Sequence, residues 1–126
     1  MFTIGIDLGG TNIVAAVVDE KYNIIAKAKT PTAVPRSADL IFDDIAKVCK
    51  EAVEKAGLTM NDISSVGLGT PGTVNSDGVI EFANNLNFDN VPAKDMIIER
   101  LGDKPVYVAN DALSLIHISE PTRHLR

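Results

Sequence analysis

Apolar and polar positions along this chain switch between a period of two and a period near 3.6, and the switch points set out its elements. Phe2–Leu8 is an apolar, partly β-branched run that stops at Gly9-Gly10, the mark of a buried strand. Ile13–Val18 is a second apolar run, closed by the polar turn Asp19-Glu20-Lys21. Ile24–Thr30 alternates Ile24, Ala26 and Ala28 against Ile25, Lys27 and Lys29, as a strand with one exposed face does. The connections are too short for parallel crossovers, so the three runs predict an antiparallel meander. After the loop 31–35, Ser37 is a candidate N-cap for a helix running to about Ala56 and closed by Gly57. Within it Leu40, Ile41, Ile45, Val48, Cys49, Ala52 and Val53 recur at helical steps and predict one apolar stripe.

The second half is more broken. Ile63–Leu68 predicts a short buried strand, and Gly67, Gly69 and Gly72 around Pro71 predict a loop. Thr73-Val74-Asn75 and Val79-Ile80-Glu81 flank Ser76-Asp77-Gly78, a hairpin turn in which Gly78 takes positive φ. Asn84-Asn85-Leu86-Asn87-Phe88 reads as a turn-rich loop whose amides also suit a polyhydroxy ligand. Pro92–Leu101 predicts a second helix ending at Gly102, and Val106–Ala109 a last strand running into Asn110-Asp111. No repeat or linker divides this α/β unit. Leu113–Arg123 stands apart: it back-translates without a break into the reverse complement of an adapter used in transposase-based sequencing libraries. The expected organisation is therefore a lobe over 1–112 and a non-native tail over 113–126.

Composition narrows the function classes. The chain has 126 residues, 45% hydrophobic and 23% charged, ordinary for a globular domain. A net charge of −5 argues against nucleic acid as a partner, since phosphate neutralisation needs a basic face. Both histidines, His117 and His124, fall in the tail, so no histidine chemistry is expected of 1–112. The single cysteine, Cys49, excludes an internal disulfide and is most simply a core residue. No signal peptide or membrane-length apolar run is evident, and a cytoplasmic, soluble protein is expected. Asp43-Asp44 and the Lys/Glu positions of the long helix read as solvated surface.

Three places carry candidate chemistry. In Asp7-Leu8-Gly9-Gly10-Thr11-Asn12, two glycines at a strand end let backbone N–H groups converge on an anion. Thr11 and Asn12 add side-chain donors, and Asp7 could orient a hydrated Mg²⁺. The stretch is neither the dinucleotide-binding fingerprint, which has a third glycine and a following helix, nor a P-loop. Gly67-Leu68-Gly69-Thr70-Pro71-Gly72-Thr73 is a rigid loop able to wall a polar pocket, or a plain connection. Asp111, beyond the end of a buried strand, could accept a proton from an attacking hydroxyl, or cap a following helix.

In order, these motifs resemble the ROK family of sugar kinases, within the actin-like/hexokinase ATPase superfamily, and bacterial glucokinases in particular. The likeness rests on Asp-Leu-Gly-Gly-Thr-Asn, Gly-Leu-Gly-Thr-Pro-Gly, Asn-Leu-Asn-Phe before Val91-Pro92, and Asn110-Asp111. It implies an α/β fold, the ribonuclease H-like N-terminal lobe of such an ATPase, with the second lobe missing. It implies ATP and Mg²⁺ at Asp7, Gly9, Gly10, Thr11 and Asn12. It implies glucose or a related hexose at Thr70, Pro71, Gly72, Asn85, Asn110 and Asp111, with Asp111 as general base toward the 6-hydroxyl. Where relatives usually carry a Trp after Asn-Leu, this chain has Phe88. The adenosine site, a second phosphate motif and a structural zinc site belong to the missing lobe. The full-length protein is then expected to be a homo-oligomer, and this chain as written to be inactive. N-acetylmannosamine kinase, fructokinase, and a sugar-responsive repressor of the same family are the alternatives. A bare nucleotide-binding module is a further one, against which Asn110-Asp111 argues.

Overall fold

The computed structural model describes residues 1–33, 36–83, 86 and 88–110. Strands β1 (Phe2–Leu8), β2 (Asn12–Val18) and β3 (Ile24–Pro31) pair antiparallel in chain order, as their short turns require. Ile4, Ile6 and Leu8 on β1, and Ile13, Ala15 and Val17 on β2, are buried at every second position. One face of the meander is thus core. The expected alternation of β3 fades: Ala28 is buried, but Ile24 and Ile25 are 60% and 43% exposed. β3 is an edge strand of its sheet, which accounts for the weaker burial.

Helix α1 (Ala38–Lys55) lies across β2 and β3. The Ser37 side chain accepts from Leu40 N–H at its start, and Gly57 with φ +74 turns the chain beyond its end. Ile41, Phe42, Ile45, Ala46, Val48, Cys49, Ala52 and Val53 are buried, but Leu40, expected in the stripe, is 52% exposed. At 100° per residue the stripe centres near Ile45 and Ala52, which takes in Phe42 and leaves Leu40 on the far side. Burial pushes the Cys49 thiol up to about 12, so Cys49 is core and inert. Asp43 and Asp44 are more than solvated surface. Arg36 donates to Asp44 at 2.8 Å, and Arg100 Nε to Asp43 at 2.9 Å.

Strand β4 (Ile63–Gly69) runs parallel to β1. Gly69, expected in the loop, is inside this strand opposite Asp7, while Gly67, opposite Gly5, falls within the expected strand. Strands β5 (Thr73–Val74), β6 (Ile80–Ala83) and β7 (Phe88–Val91) form a separate antiparallel sheet. The β5–β6 turn is as expected: Gly78 has φ +77, and the Asn75 side chain accepts from Asp77 and Val79 N–H. β7 was not expected, because Phe88 and Val91 are buried with two exposed residues between them. Leu86 is fully buried, and the Phe88 ring lies 6.2 Å from that of Phe42, which ties the small sheet to α1. Helix α2 (Ala93–Leu101) follows Pro92, ends at Gly102 with φ +104, and leads into β8 (Val106–Ala109). It packs on β8 and on α1. β8 pairs parallel with β4, so the large sheet has the order β3-β2-β1-β4-β8. Among the described residues no helix is long and apolar enough to cross a membrane.

Candidate functional site

The register of the three parallel strands decides where the motifs meet. Asp7 on β1 is opposite Gly69 on β4, and Gly69 is opposite Ala109 on β8. Thr70 N–H donates to Ala109 carbonyl at 3.0 Å and carries the pairing one step further. All three strands therefore end level, and the Gly9-Gly10-Thr11 turn, the Thr70-Pro71-Gly72 loop and Asn110 leave from one edge. Neighbouring strands are about 4.8 Å apart, so the ends of β1 and β8 are separated by about 10 Å. The carboxyl edge of parallel strands is where open α/β sheets hold ligands.

The turn after β1 has an unequal use of its backbone groups. Gly9 N–H donates to Asn12 carbonyl at 3.0 Å and closes the hairpin. The Thr32 hydroxyl donates to Gly9 carbonyl at 2.7 Å, and Thr32 N–H to Thr11 carbonyl at 2.9 Å. Three carbonyls are thus occupied. Among the described residues, Gly10 N–H and Thr11 N–H have no acceptor. A turn with three carbonyls taken up by the protein and adjacent donors left over is suited to an anion. The expectation that Gly9 would also offer its amide is corrected, because that group is committed to Asn12. A Cβ on Gly9 would lie 3.1 Å from Asn12 carbonyl, so the tight closure accounts for this glycine. Asp7, Thr11 and Asn12 are exposed, and Gly9 and Gly10 half-buried.

The other positions divide. Thr70 is 2% exposed and its hydroxyl donates to Pro71 carbonyl at 3.2 Å, so this side chain is turned to its own loop. Pro71 is half-buried and Gly72 exposed, with φ +94. A Cβ on Gly72 would lie 2.0 Å from Phe82 carbonyl, so close packing on β6 requires glycine there. Asn110 is exposed just past β8. Asn85 and Asp111, and the segment 113–126, lie outside the described residues. An open cleft of about 320 Å³ is found between the Asn75–Gly78 turn, Lys94 and β8, and no motif residue lines it.

Sequence reasoning missed Thr32. It sits in what reads as a bland loop after Pro31, and only the pairing of Asn12 with Pro31 brings it under the turn. Arg36 was missed with it: Nε and Nη2 donate to Thr32 carbonyl at 3.0 and 2.6 Å.

Residues 3–121 match the model of the ROK family. The chain belongs to the ROK family. It is 42% identical to a glucokinase of Streptomyces coelicolor, over 87% of this chain and 32% of that protein. It is 33% identical to the xylose repressor of Caldicellulosiruptor bescii, over 86% of this chain and 27% of that one. Among solved structures it resembles a ROK family glucokinase from Streptomyces griseus in complex with glucose and AMPPNP. That likeness has a TM-score of 0.77 at 38% identity and covers 87% of this chain and 33% of the other. This ROK chain thus spans about a third of the length of the curated glucokinase it matches. Its mixed α/β sheet is that of a ROK glucokinase lobe.

Proposed function

We propose that this chain is the N-terminal lobe of an ATP-dependent hexose kinase that phosphorylates glucose at the 6-hydroxyl. The observation that carries the reading is the turn after β1, whose Gly10 and Thr11 amides have no acceptor among the described residues, at the edge where β1 and β8 end. The Gly10 and Thr11 N–H groups donate to phosphate oxygens of ATP, and the exposed Thr11 and Asn12 side chains add to that contact. Asp7 fits a hydrated Mg²⁺, which takes one or two carboxylates and keeps waters and phosphate oxygens as its other ligands. When bound, the ion neutralises charge developing on the transferred group.

Asn110, across the edge, holds the sugar, and Asp111 is assigned to the sugar with it. The 6-hydroxyl oxygen forms the new bond to the γ-phosphorus, the bond from that phosphorus to the β–γ bridging oxygen breaks, and ADP leaves. The hydroxyl proton passes to the Asp111 carboxylate. Thr70, Pro71 and Gly72 border the sugar side, Thr70 through its backbone, since its hydroxyl is used within the loop, and Asn85 is assigned to the sugar with them. The chemistry is mainly positioning and electrostatics, as phosphoryl transfer requires.

The test is Asp111→Ala in a full-length relative, at the matching position, with glucose, fructose and N-acetylmannosamine compared as acceptors. A fall in kcat of about 10²- to 10⁴-fold is expected, with glucose the preferred acceptor. A kcat near that of the parent would remove Asp111 as base. The likeness to a xylose repressor supports a second reading, a sugar-responsive regulator. Tight sugar binding without any phosphoryl transfer in the full-length protein would favour it.

A further inference from the structure

We propose that Thr32 is the positioning residue of the phosphate-binding turn, acting with Arg36 and Asp44 as a strut between that turn and helix α1. The inference rests on the reading of Gly9–Asn12 as a phosphate turn. Thr32 is fully buried and its two polar donors are both spent on the turn, the hydroxyl on Gly9 carbonyl and the N–H on Thr11 carbonyl. These carbonyls flank the Gly10 and Thr11 amides, which have no acceptor among the described residues. A peptide plane that turns its carbonyl toward Thr32 turns the N–H of the next residue the other way. Fixing Gly9 carbonyl therefore aims Gly10 N–H away from Thr32. The hydroxyl bond is what sets the donor that a phosphate meets.

Thr32 is itself held. Its carbonyl accepts both Nε and Nη2 of Arg36, and the same Nη2 donates to Asp44 Oδ2 at 2.8 Å. Asp44 belongs to α1, whose Ile41, Phe42 and Ile45 are in the core. The turn is thus tied to a core-packed helix through a planar guanidinium fork, which a lysine ammonium would not reproduce. Among the described residues no other side chain donates to a carbonyl of Gly9, Gly10 or Thr11. Thr32 touches no reacting atom, and its role is to preorganise the donors.

The experiment uses the chain itself, with backbone amide NMR and Mg·ATP as the probe. Thr32→Val keeps the branched shape and the N–H and removes only the hydroxyl, Thr32→Ser restores the hydroxyl, and Arg36→Lys removes the fork. For the parent chain, Gly10 and Thr11 amide signals are expected to shift on titration with millimolar Mg·ATP. Thr32→Val is expected to weaken that binding about five- to tenfold, the worth of one net hydrogen bond, and to lower the Gly10 and Thr11 order parameters without ligand. Thr32→Ser is expected to recover both, with Arg36→Lys between. If Thr32→Val lowers the melting temperature but leaves the order parameters and affinity as in the parent, Thr32 is merely structural and the inference falls. If the parent chain shows no shifts at Gly10 and Thr11, the phosphate reading of the turn falls, and the inference with it.

Discussion

Two glycines with positive φ separate a conformational cost from a packing cost. Gly57 has φ +74 and open space where a Cβ would go, whereas at Gly72, with φ +94, a Cβ would sit 2.0 Å from Phe82 carbonyl. Gly57→Ala is expected to cost about 1 kcal/mol, the left-handed penalty alone. Gly72→Ala is expected to cost about 4 kcal/mol or more, because backbone must move against backbone. Urea unfolding of the two variants measures the difference, and equal costs would contradict the close approach of the loop to β6. Both glycines are visible in the sequence as loop residues. Only one has a visible reason, since the atom that forbids a side chain at Gly72 belongs to a strand that local pattern does not connect to it. Thr32 is hidden for the same cause. Nothing next to it marks it, and the turn residues it holds, Gly9 and Thr11, are distant in sequence.

Among the elements, the first half of the chain was legible and the second half partly so. Alternation on β1 and β2 and the helical stripe of α1 are long enough to show their period, and Ser37 and Gly57 mark the helix ends. β7 was not legible: Phe88 and Val91 point to the core three positions apart, and Asn90 has φ +51, so no two-residue period survives. Gly69 reads as a loop residue because nothing local shows that a parallel neighbour on each side supports it. The unexpected strand has a consequence for stability. Phe88 is 2% exposed and stacks near Phe42, joining the small sheet to α1. Phe88→Ala is expected to lower stability by about 3–5 kcal/mol, read by denaturant unfolding. A loss below about 1 kcal/mol would show that the small sheet is anchored elsewhere.

At the scale of the whole molecule, the candidate site is an edge at which three strands stop level, and that edge was the least legible feature. The motifs on β1 and β8 were visible one at a time, but their alignment through Gly69 follows from a parallel register that no local pattern encodes. The edge is also only part of what the matched glucokinase possesses, because the chain spans 32% of that protein. With ATP and glucose in a coupled assay, purified chain is expected to show no turnover above background. Turnover would mean that this lobe holds every group needed for phosphoryl transfer.

The mixed sheet also sets an order in time. β1 meets β2 across a tight turn, while Thr3 and Ser65, whose hydroxyls meet at 3.2 Å between β1 and β4, are 62 residues apart in the chain. Local pairings close quickly, and distant ones wait on a larger loss of chain entropy. On a ribosome, the Gly9–Asn12 turn has all its partners once α1 has emerged, and the shared edge has to wait for Ala109. On the proposed reading, the nascent polypeptide would then carry its phosphate turn well before it has a place to put a sugar.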